Sequence, residues 1–328
     1  MQIVIDDYGL FLGKTGNRFI IENKDKKEEV SCDSVDQIMI LKSSSISTDA
    51  VKLAMENNID IVYLDHFGMP YARVYPCKLG GTTLTRRKQA ESLNTQKSFT
   101  LARQIVEAKI KNQIYLLQSL GKTRSAVDFS KEITSIQNSL EKLSSMEIKD
   151  ISERDEILGI EGFCSSVYFS CLSKILPFTE RQHEAKDPFN CMLNYGYGIL
   201  YSEIEKACIL AGIDPYLGLL HSDRYGKPSM VLDIIESFRQ PLVDRAIITL
   251  FVQKQVKEAD TEVSGNSIIL SKSGKAKVVE SVLGRLHTKI EYRGQKLTFQ
   301  GIILDQCRSI ARYFREDDYI HKPFSHRW

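Results

Sequence analysis

The beginning of the sequence alternates apolar and polar positions with a period of two. The apolar runs are MQIVIDD, LFLGKTG, NRFIIEN, VDQIMILKSS and NNIDIVYLDHFGMPYARVYP, and Gly, Asn and Asp residues separate them. This pattern is typical of β-strands joined by hairpins and turns. A single helical pattern interrupts the strands over STDAVKLAMENN, where Ser47 or Thr48 can cap the helix and Ala50, Leu53 and Ala54 recur at helical spacing.

The hydrophobic period becomes helical after the Gly- and Thr-rich stretch GGTTLT at residues 80–85, which we interpret as a linker. The next segment, RRKQAESLNTQKSFTLARQIVEAKIKNQIYLLQSLGK, predicts a long amphipathic helix or a pair of helices. Further helical patterns cover residues 129–146, 153–176, 188–211, 229–257, 274–287 and 300–315, with a small β excursion at 264–274. We therefore predict an α+β fold, with an N-terminal β-rich domain at residues 1–85 and a larger α-helical domain at residues 86–328.

A polar stripe follows the helix that is predicted to begin near Ser229. At about 100° per residue, the stripe contains Asp233, Glu236, Gln240 and Asp244. Pro241 is expected to kink or shorten the helix, so Asp244 belongs to the stripe less securely. Such a stripe is either a face exposed to solvent or the wall of a site.

Candidate metal ligands accompany this stripe. His221 precedes the helix, and Glu161 lies inside the apolar pattern LGIEGFCSSVYF, where an unpaired buried acid would cost energy. One imidazole with carboxylates suits Mg²⁺ or Mn²⁺, because both ions bind oxygen ligands and Mn²⁺ also accepts histidine. The same residues also have ordinary interpretations: a structural histidine, a solvated helix face, and an acid paired with an arginine.

Composition adds information mainly through the distribution of charge. The formal net charge is +2, and hydrophobic and charged residues make up 42% and 26% of the chain, which is ordinary for a globular protein. From Arg73 to Arg124, however, there are eleven Lys or Arg residues and two acids, and from Ser271 to Trp328 there are twelve and six. These stretches are either a contact surface for a polyanion or solvated helix faces.

The cysteines and the apolar segments indicate the compartment. Seven scattered cysteines without a C-x-x-C pair argue against a disulfide framework and against a thiolate zinc site. The N-terminal MQIVIDDYG has no basic region followed by a long apolar run, and no window approaches about 18 uninterrupted apolar residues. We therefore expect a soluble cytoplasmic protein without a membrane partner.

Several strings, in this order along the chain, together resemble one known family. They are ISTDAVKLAMENNIDIVYLDHFGMP, RRKQ, LGIEGFCSSVYF, DPFNCMLNYGYGILYSEIEKACILAGIDPYLG, GLLHSDRYGKPSMVLDIIESFRQPLVDR and YRGQKLTFQGIILDQCRSIARYF. The family is the CRISPR-associated integrase, the nuclease subunit of the spacer-acquisition machinery, and the resemblance spans nearly the whole chain. It implies a metal-dependent DNA endonuclease and integrase that inserts short DNA into a repeat array, forms a homodimer through its β-domains, and joins a small companion adaptation protein.

The resemblance also implies roles for the candidate ligands. The family's metal-binding glutamate falls on Glu161, its histidine on His221, and its helix carboxylate on Glu236, with Asp233 as the supporting acid. The reverse assignment of Asp233 and Glu236 stays open. With Mg²⁺ or Mn²⁺, such a site lets a 3′-hydroxyl or a water molecule attack a phosphodiester of double-stranded DNA.

Nearby basic residues are candidates for DNA contacts. Arg224 lies three residues after His221, and Arg239 lies three residues after Glu236. Both are placed to reach phosphates, unless they pair with neighbouring acids. Arg86, Arg87 and Lys88 either contact DNA phosphates or lock the two domains together.

Two rival functions are compatible with the same residues. A general metal-dependent nuclease for branched or damaged DNA would use the same ligands and need no companion subunit. A non-catalytic DNA-binding scaffold would depend on the basic stretches alone, and replacing Glu161 with alanine would leave its function intact.

Overall fold

The structure is a computed structural model that describes most of the chain in two compact units, Met1–Gly80 and Gly81–Trp328. The described residues are 2–24, 26–66, 68, 70–76, 82–122, 127–149, 151–221, 226–265 and 267–328. The prediction of an α+β fold, with a strand-rich beginning followed by a helical domain, is confirmed.

The described part of the first unit consists mainly of strands, with one α-helix. In chain order these are β1 (Gln2–Ile5), β2 (Phe11–Thr15), β3 (Arg18–Glu22), β4 (Lys27–Ser31), β5 (Gln37–Ile40), β6 (Ser45–Ile46), α1 (Thr48–Glu56), β7 (Asp60–Leu64) and β8 (Pro70–Val74). Ser47 is the cap of α1, since its hydroxyl accepts a hydrogen bond from the Ala50 amide at 3.1 Å. The predicted strands are present, whereas β4 and β6 were not predicted. The sequence of β4, KEEVS, is mostly exposed and charged, so it carries little hydrophobic signal.

The described strands of this unit form two four-stranded sheets. One has the order β1-β5-β7-β8, in which β1, β5 and β7 are parallel and β8 is antiparallel to β7. The other has the order β4-β3-β2-β6 and begins as an antiparallel meander. Apolar residues of both sheets, such as Ile5, Phe19 and Ile38, pack with Leu53 of α1 in one core. The alternating pattern arises because each strand has one face in this core.

The second unit is mainly helical. Its elements are α2 (Thr82–Ser92), α3 (Gln96–Lys122), α4 (Ser130–Ser145), α5 (Arg154–Ser173), α6 (Pro188–Ala211), α7 (Ser229–Ile235), α8 (Arg245–Val252), β9 (Thr261–Ser264), β10 (Ser267–Leu270), α9 (Lys272–His287), β11 (Lys289–Tyr292), β12 (Gln295–Thr298) and α10 (Phe299–Arg315). Helix α6 is buried on nearly all sides and packs against α10, α9 and α7. It therefore forms the centre of this unit.

Several boundaries differ from the sequence-based expectation. Thr82–Thr85 were interpreted as linker but begin α2, where the buried Thr85 hydroxyl accepts a hydrogen bond from Arg315 at 2.9 Å. The long helical pattern is a helix pair that breaks at Asn94, whose φ is 60°. The predicted β excursion lies earlier, in the antiparallel pair β9–β10, and the hairpin β11–β12 was not predicted. None of the helices in the described part of the chain is long and apolar enough to span a membrane.

The helix predicted over residues 229–257 is interrupted at Pro241. Helix α7 ends at Ile235, a π-helical segment covers Arg239–Asp244, and α8 follows. Proline has no backbone N–H and its ring crowds the preceding turn, so a wider helical turn accommodates it. The expected disturbance at Pro241 is confirmed.

The C-terminal tail, residues 316–328, packs onto the helical unit next to the end of α7. Phe324 is 3% exposed, and its ring stacks on that of Phe238 with centroids 5.3 Å apart. The Asn112 side chain of α3 donates to the carbonyls of Ser237 and Phe324 and accepts from the His326 amide. One buried amide thus joins α3, the turn after α7 and the tail.

Replacing Phe324 with alanine is therefore expected to lower the free energy of unfolding of the helical unit by about 3–5 kcal/mol, because a buried aromatic ring is lost. Ile320 in the same tail is 71% exposed and is the matched control, with an expected effect within about 0.5 kcal/mol for Ile320→Ala. Denaturant unfolding followed by circular dichroism measures both variants. Equal stabilities of the two would contradict the packing role of the tail.

Candidate active site

The predicted ligands converge where α3, α5 and α7 meet. Glu161 of α5, His221, Asp233 of α7 and Glu236 at the end of α7 line one small cavity. Its remaining walls are apolar side chains, including Ile105 of α3. The cavity volume is about 10 Å³, which is space for about one water molecule. The polar stripe of the sequence is therefore not a solvent-exposed face, because Asp233 and Glu236 are 3% and 7% exposed and line this cavity.

A lysine ammonium lies between the two glutamates. Lys109 of α3 is 7% exposed, and its Nζ atom is 2.6 Å from Glu236 Oε2. The same Nζ atom forms an ion pair with Glu161 Oε1. Glu161 Oε1 also accepts from the Ser165 hydroxyl at 3.1 Å. The partner of Glu161 is thus a lysine, where an arginine was the sequence-based alternative.

The surrounding charges keep Glu236 ionised. Burial raises the pKa of its carboxyl, but the charges of Arg239 and Lys109 outweigh burial and hold that pKa at about 2. Burial lowers the pKa of the Lys109 amine, but Glu236 and Glu161 outweigh it, so this pKa is raised overall. Opposite charges thus stabilise one another in a region of low dielectric constant.

Asp233 forms hydrogen bonds with the loop that carries His221. Its two carboxylate oxygens accept from the backbone amides of Leu219, Leu220 and His221 at 2.5, 3.2 and 3.2 Å. His221 Nδ1 is 2.6 Å from Asp233 Oδ1, and because a carboxylate can only accept, Nδ1 carries the proton. Burial lowers the pKa of His221, but the Asp233 hydrogen bond and charge raise it overall. The second ring nitrogen, Nε2, does not take part in this contact.

Three further residues fix the loop before α7. The Gln89 side chain of α2 donates to the carbonyls of Asp214 and Leu217 and accepts from the Asp214 amide. Arg154 donates from Nε to the Leu220 carbonyl at 2.8 Å. A Cβ atom at Gly218 would lie 2.5 Å from Ser229 Cβ, so only glycine allows this approach to the start of α7. The position of His221 is therefore determined by α2, α5 and α7 together.

A buried polar chain extends from Glu236 away from the cavity. Arg239 donates from Nε to Glu236 Oε1 at 3.1 Å, and its guanidinium lies 4.5 Å from the ring centre of Tyr197. Asp244 accepts from the hydroxyls of Tyr197 and Tyr168 at 2.5 and 2.8 Å. Burial raises the pKa of Asp244, and the two tyrosines and Arg239 act against that shift. Asp244 thus binds tyrosines, and Arg239 supports Glu236.

The remaining predicted residues lie outside this cluster. Arg224 is outside the residues that the structure describes. Arg86 is half-buried on α2, whereas Arg87 and Lys88 are exposed, and Lys88 forms an ion pair with Glu91 at 2.8 Å. Arg87 and Lys88 are therefore more accessible than Arg86.

The side chains at the cavity have the chemistry that a divalent cation requires, but not the arrangement. Within the described ranges, no three His, Cys, Asp or Glu side chains are arranged to hold a metal ion as they are placed, and Lys109 separates the two glutamates. The chemistry nevertheless fits a hard divalent cation, since three carboxylates and one imidazole line one cavity. The Lys109 ammonium already lies between the two glutamate carboxylates.

Sequence reasoning missed Lys109 and Gln89. Lys109 lies on the buried face of α3 with Ile105, Val106 and Leu116, so a charge among mostly apolar residues was the available signal. Gln89 gave no such signal, because an isolated glutamine on a polar helix is usually exposed. Its loop partners are more than a hundred residues away in sequence.

Comparison with known sequences identifies related proteins. The family described as CRISPR associated protein Cas1 matches residues 3–283. A CRISPR-associated endonuclease Cas1 from Archaeoglobus fulgidus is 34% identical over 350 aligned positions, covering 100% of both chains. One from Francisella tularensis subsp. novicida is 30% identical, covering 100% of this chain and 99% of its own.

Comparison with solved structures identifies the same fold. A casposase bound to integration product has a TM-score of 0.82 and 24% identity, covering 99% of this chain and 96% of its own. A Cas1 protein from Thermotoga maritima has a TM-score of 0.81 and 20% identity, covering 96% and 97%. A Cas6-RT-Cas1–Cas2 complex has a TM-score of 0.79 and 20% identity, covering 98% of this chain and 36% of the matched chain.

Proposed function

The chain belongs to the Cas1 family of CRISPR-associated proteins, and on this basis we propose that it is a metal-dependent DNA endonuclease and integrase. Its substrate is double-stranded DNA, and its product is a short segment joined to a CRISPR repeat array. The observation that carries the proposal is the convergence of Glu161, His221 and Glu236 on one cavity. The endonuclease names of the relatives and the fold shared with a casposase support it.

Glu161, His221 and Glu236 would hold Mg²⁺ or Mn²⁺. When bound, the cation would stabilise the negative charge that develops on the attacked phosphate and lower the pKa of the attacking hydroxyl or water. Glu236 is preferred to Asp233 as the third ligand, because Asp233 is held by three backbone amides and the ring of the His221 loop. The partners of Glu236 are instead the side chains of Lys109 and Arg239. A carboxylate that orients a ligating histidine in this way is a common feature of metal sites.

The other residues of the site keep the ligands in place. Asp233 holds the His221 ring with Nδ1 protonated, so that Nε2 is the nitrogen that would bind the cation. Arg239 neutralises Glu236 and limits its rotation through the contact at 3.1 Å. A second cavity, of about 130 Å³, also reaches His221 and is lined by Asn94 and Arg154. It would admit the end of a DNA strand beside the histidine.

The partners follow from the relatives and from the charge distribution. We propose that the protein acts in the cytoplasm as a homodimer through its β-rich unit, together with a small companion adaptation protein. The Cas1–Cas2 assembly among the solved structures supports such a companion. The basic stretches, including the one from Arg73 to Arg124, would contact DNA phosphates.

The basic residues of α2 provide a test of the DNA surface. Replacing Arg86, Arg87 and Lys88 with glutamine is expected to weaken binding to all duplex sequences alike and to reduce the salt dependence by about 0.9 per lost phosphate contact. Fluorescence anisotropy over a range of salt concentrations measures both. Lys52 of α1, whose side chain is 70% exposed, is the control for charge alone. An unchanged salt slope would instead assign the three residues to the packing of α2.

Joining and hydrolysis are distinguished by the end of the incoming DNA. Duplexes ending in a 3′-hydroxyl or in a 3′-deoxy sugar are incubated with a supercoiled repeat-bearing plasmid, the small partner and Mg²⁺ or Mn²⁺. The proposal predicts joined products only with the 3′-hydroxyl, because that oxygen is the nucleophile. Cutting with either end and no joining would favour a general nuclease, and neither reaction would favour a scaffold.

A further inference from the structure

We propose that Lys109 is an internal counter-cation of the active site: its ammonium holds Glu161 and Glu236 together and has to leave before a divalent cation can bind there. The inference rests on the proposed function, since it assumes that the two glutamates are metal ligands. It adds a residue that competes with the metal and so sets the metal concentration at which the enzyme becomes active.

The geometry places one atom between two candidate ligands. Lys109 Nζ forms ion pairs with Glu161 Oε1 and with Glu236 Oε2, and the second distance is 2.6 Å. The side chains of Lys109 and Glu236 are 8% and 9% exposed, so solvent screens this contact weakly. A cation bound to both carboxylates would have to take the same position as the ammonium.

The charge balance leads to the same conclusion. Without Lys109, the two carboxylates would repel each other in a buried site, with Arg239 as the remaining cation at Glu236. With Lys109, the charges of Lys109 and Arg239 balance those of the two glutamates, while Asp233 is compensated by the amides and the imidazole of the His221 loop. A dication that enters a balanced site is repelled by the nearby ammonium, whereas a dication that replaces the ammonium restores a favourable charge. Binding therefore requires the lysine to move.

The flexibility of the lysine side chain allows such a movement. Lysine has a flexible stem with four carbons and an ammonium that binds as a point charge, in contrast to the rigid fork of arginine. Only the side-chain torsions of Lys109 need to change, while α3 stays in place. If fewer than about one molecule in ten has the ammonium displaced, the apparent affinity for the metal is reduced by about tenfold or more.

The test measures metal affinity and stability on the full-length protein. Mn²⁺ binding is measured by isothermal titration and by the electron paramagnetic resonance of free Mn²⁺, for the wild type and for Lys109→Met. We expect Lys109→Met to bind Mn²⁺ at least about tenfold more tightly, to melt at a lower temperature in EDTA, and to gain more in melting temperature when Mn²⁺ is added. A lysine with a purely structural role would lower the melting temperature without tightening Mn²⁺ binding.

Lys111 is the matched control, because it lies on the same helix, pairs with Glu107 at 3.7 Å and has a side chain that is 41% exposed. Lys111→Met is expected to bind Mn²⁺ like the wild type. Lys109→Gln is the second variant if Lys109→Met does not fold, since glutamine is neutral but still donates a hydrogen bond. Unchanged or weaker Mn²⁺ binding in the folded Lys109 variant would overturn the inference.

His221→Ala separates this inference from the proposed function. If wild-type Mn²⁺ binding depends on His221 while the Lys109 variants bind no more tightly, the counter-cation role alone fails. If neither the wild type nor the Lys109 variants bind Mn²⁺ in a way that His221→Ala abolishes, the proposed metal site fails, and the counter-cation role fails with it.

Discussion

Replacing Glu161 with glutamine is expected to lower the rate of DNA strand transfer by about 10³-fold or more, because a neutral amide is a poor ligand for a hard cation and several kcal/mol of charge stabilisation are lost. Glutamine has nearly the same size as glutamate, and Glu236 still pairs with Lys109. The fold is therefore expected to persist. Single-turnover joining of a 3′-hydroxyl-ended duplex to a repeat-bearing plasmid measures the rate.

Two controls distinguish the loss of a metal ligand from the loss of a DNA-binding surface. Duplex affinity of Glu161→Gln should equal that of the wild type in EDTA, because phosphate contacts are made by basic residues. Glu156 is on the same helix, is half-exposed and pairs with Lys142 at 2.8 Å. Glu156→Gln should leave the rate unchanged. A Glu161→Gln variant with more than about a tenth of wild-type activity would remove Glu161 from the metal ligands.

Replacing Asp233 with alanine is expected to lower both stability and activity. The carboxylate accepts from three backbone amides of the His221 loop, and each amide left without a partner costs about 1–3 kcal/mol. The loss in the free energy of unfolding is therefore about 3 kcal/mol or more. The His221 ring also loses the acceptor at Nδ1, so strand transfer is expected to fall by about 10–100-fold or more.

His221→Ala is the comparison for Asp233→Ala. It removes the ring and leaves the carboxylate to accept from the backbone, so activity should be lost with a much smaller change in stability. Urea unfolding and the strand-transfer rate are measured for both variants. If Asp233→Ala were as stable as His221→Ala and less active, Asp233 would be a ligand itself and Glu236 the supporting acid.

The sequence predicted the candidate site residues as a group, which the structure brings to one cavity, but not their arrangement within it. Helical periodicity placed Asp233 and Glu236 on one stripe, and both are buried at the same cavity. Periodicity could not assign their roles, because that depends on the direction of the loop at residues 219–221. This loop folds back onto Asp233, through contacts that no local pattern encodes.

The same holds for the fold: elements with a strong local pattern were predicted, whereas contacts between distant segments were not. Strong patterns predicted the strands of the first unit and α6, and Pro241 predicted the break after α7. The exposed strand β4 and the hairpin β11–β12 lack a clear apolar face and were missed. The contacts of Gln89, Lys109 and Asn112 join segments far apart in the chain, so only the folded structure reveals their partners.

In the proposed function, the residues that line the cavity around His221 catalyse the joining of DNA strands. The most direct measurement is strand transfer of a short 3′-hydroxyl-ended duplex into a supercoiled repeat-bearing plasmid, with and without Mn²⁺ and the small partner, for the wild type and His221→Ala. We predict joined products that require the metal, the partner and His221. Joining at the wild-type rate by His221→Ala would contradict the account.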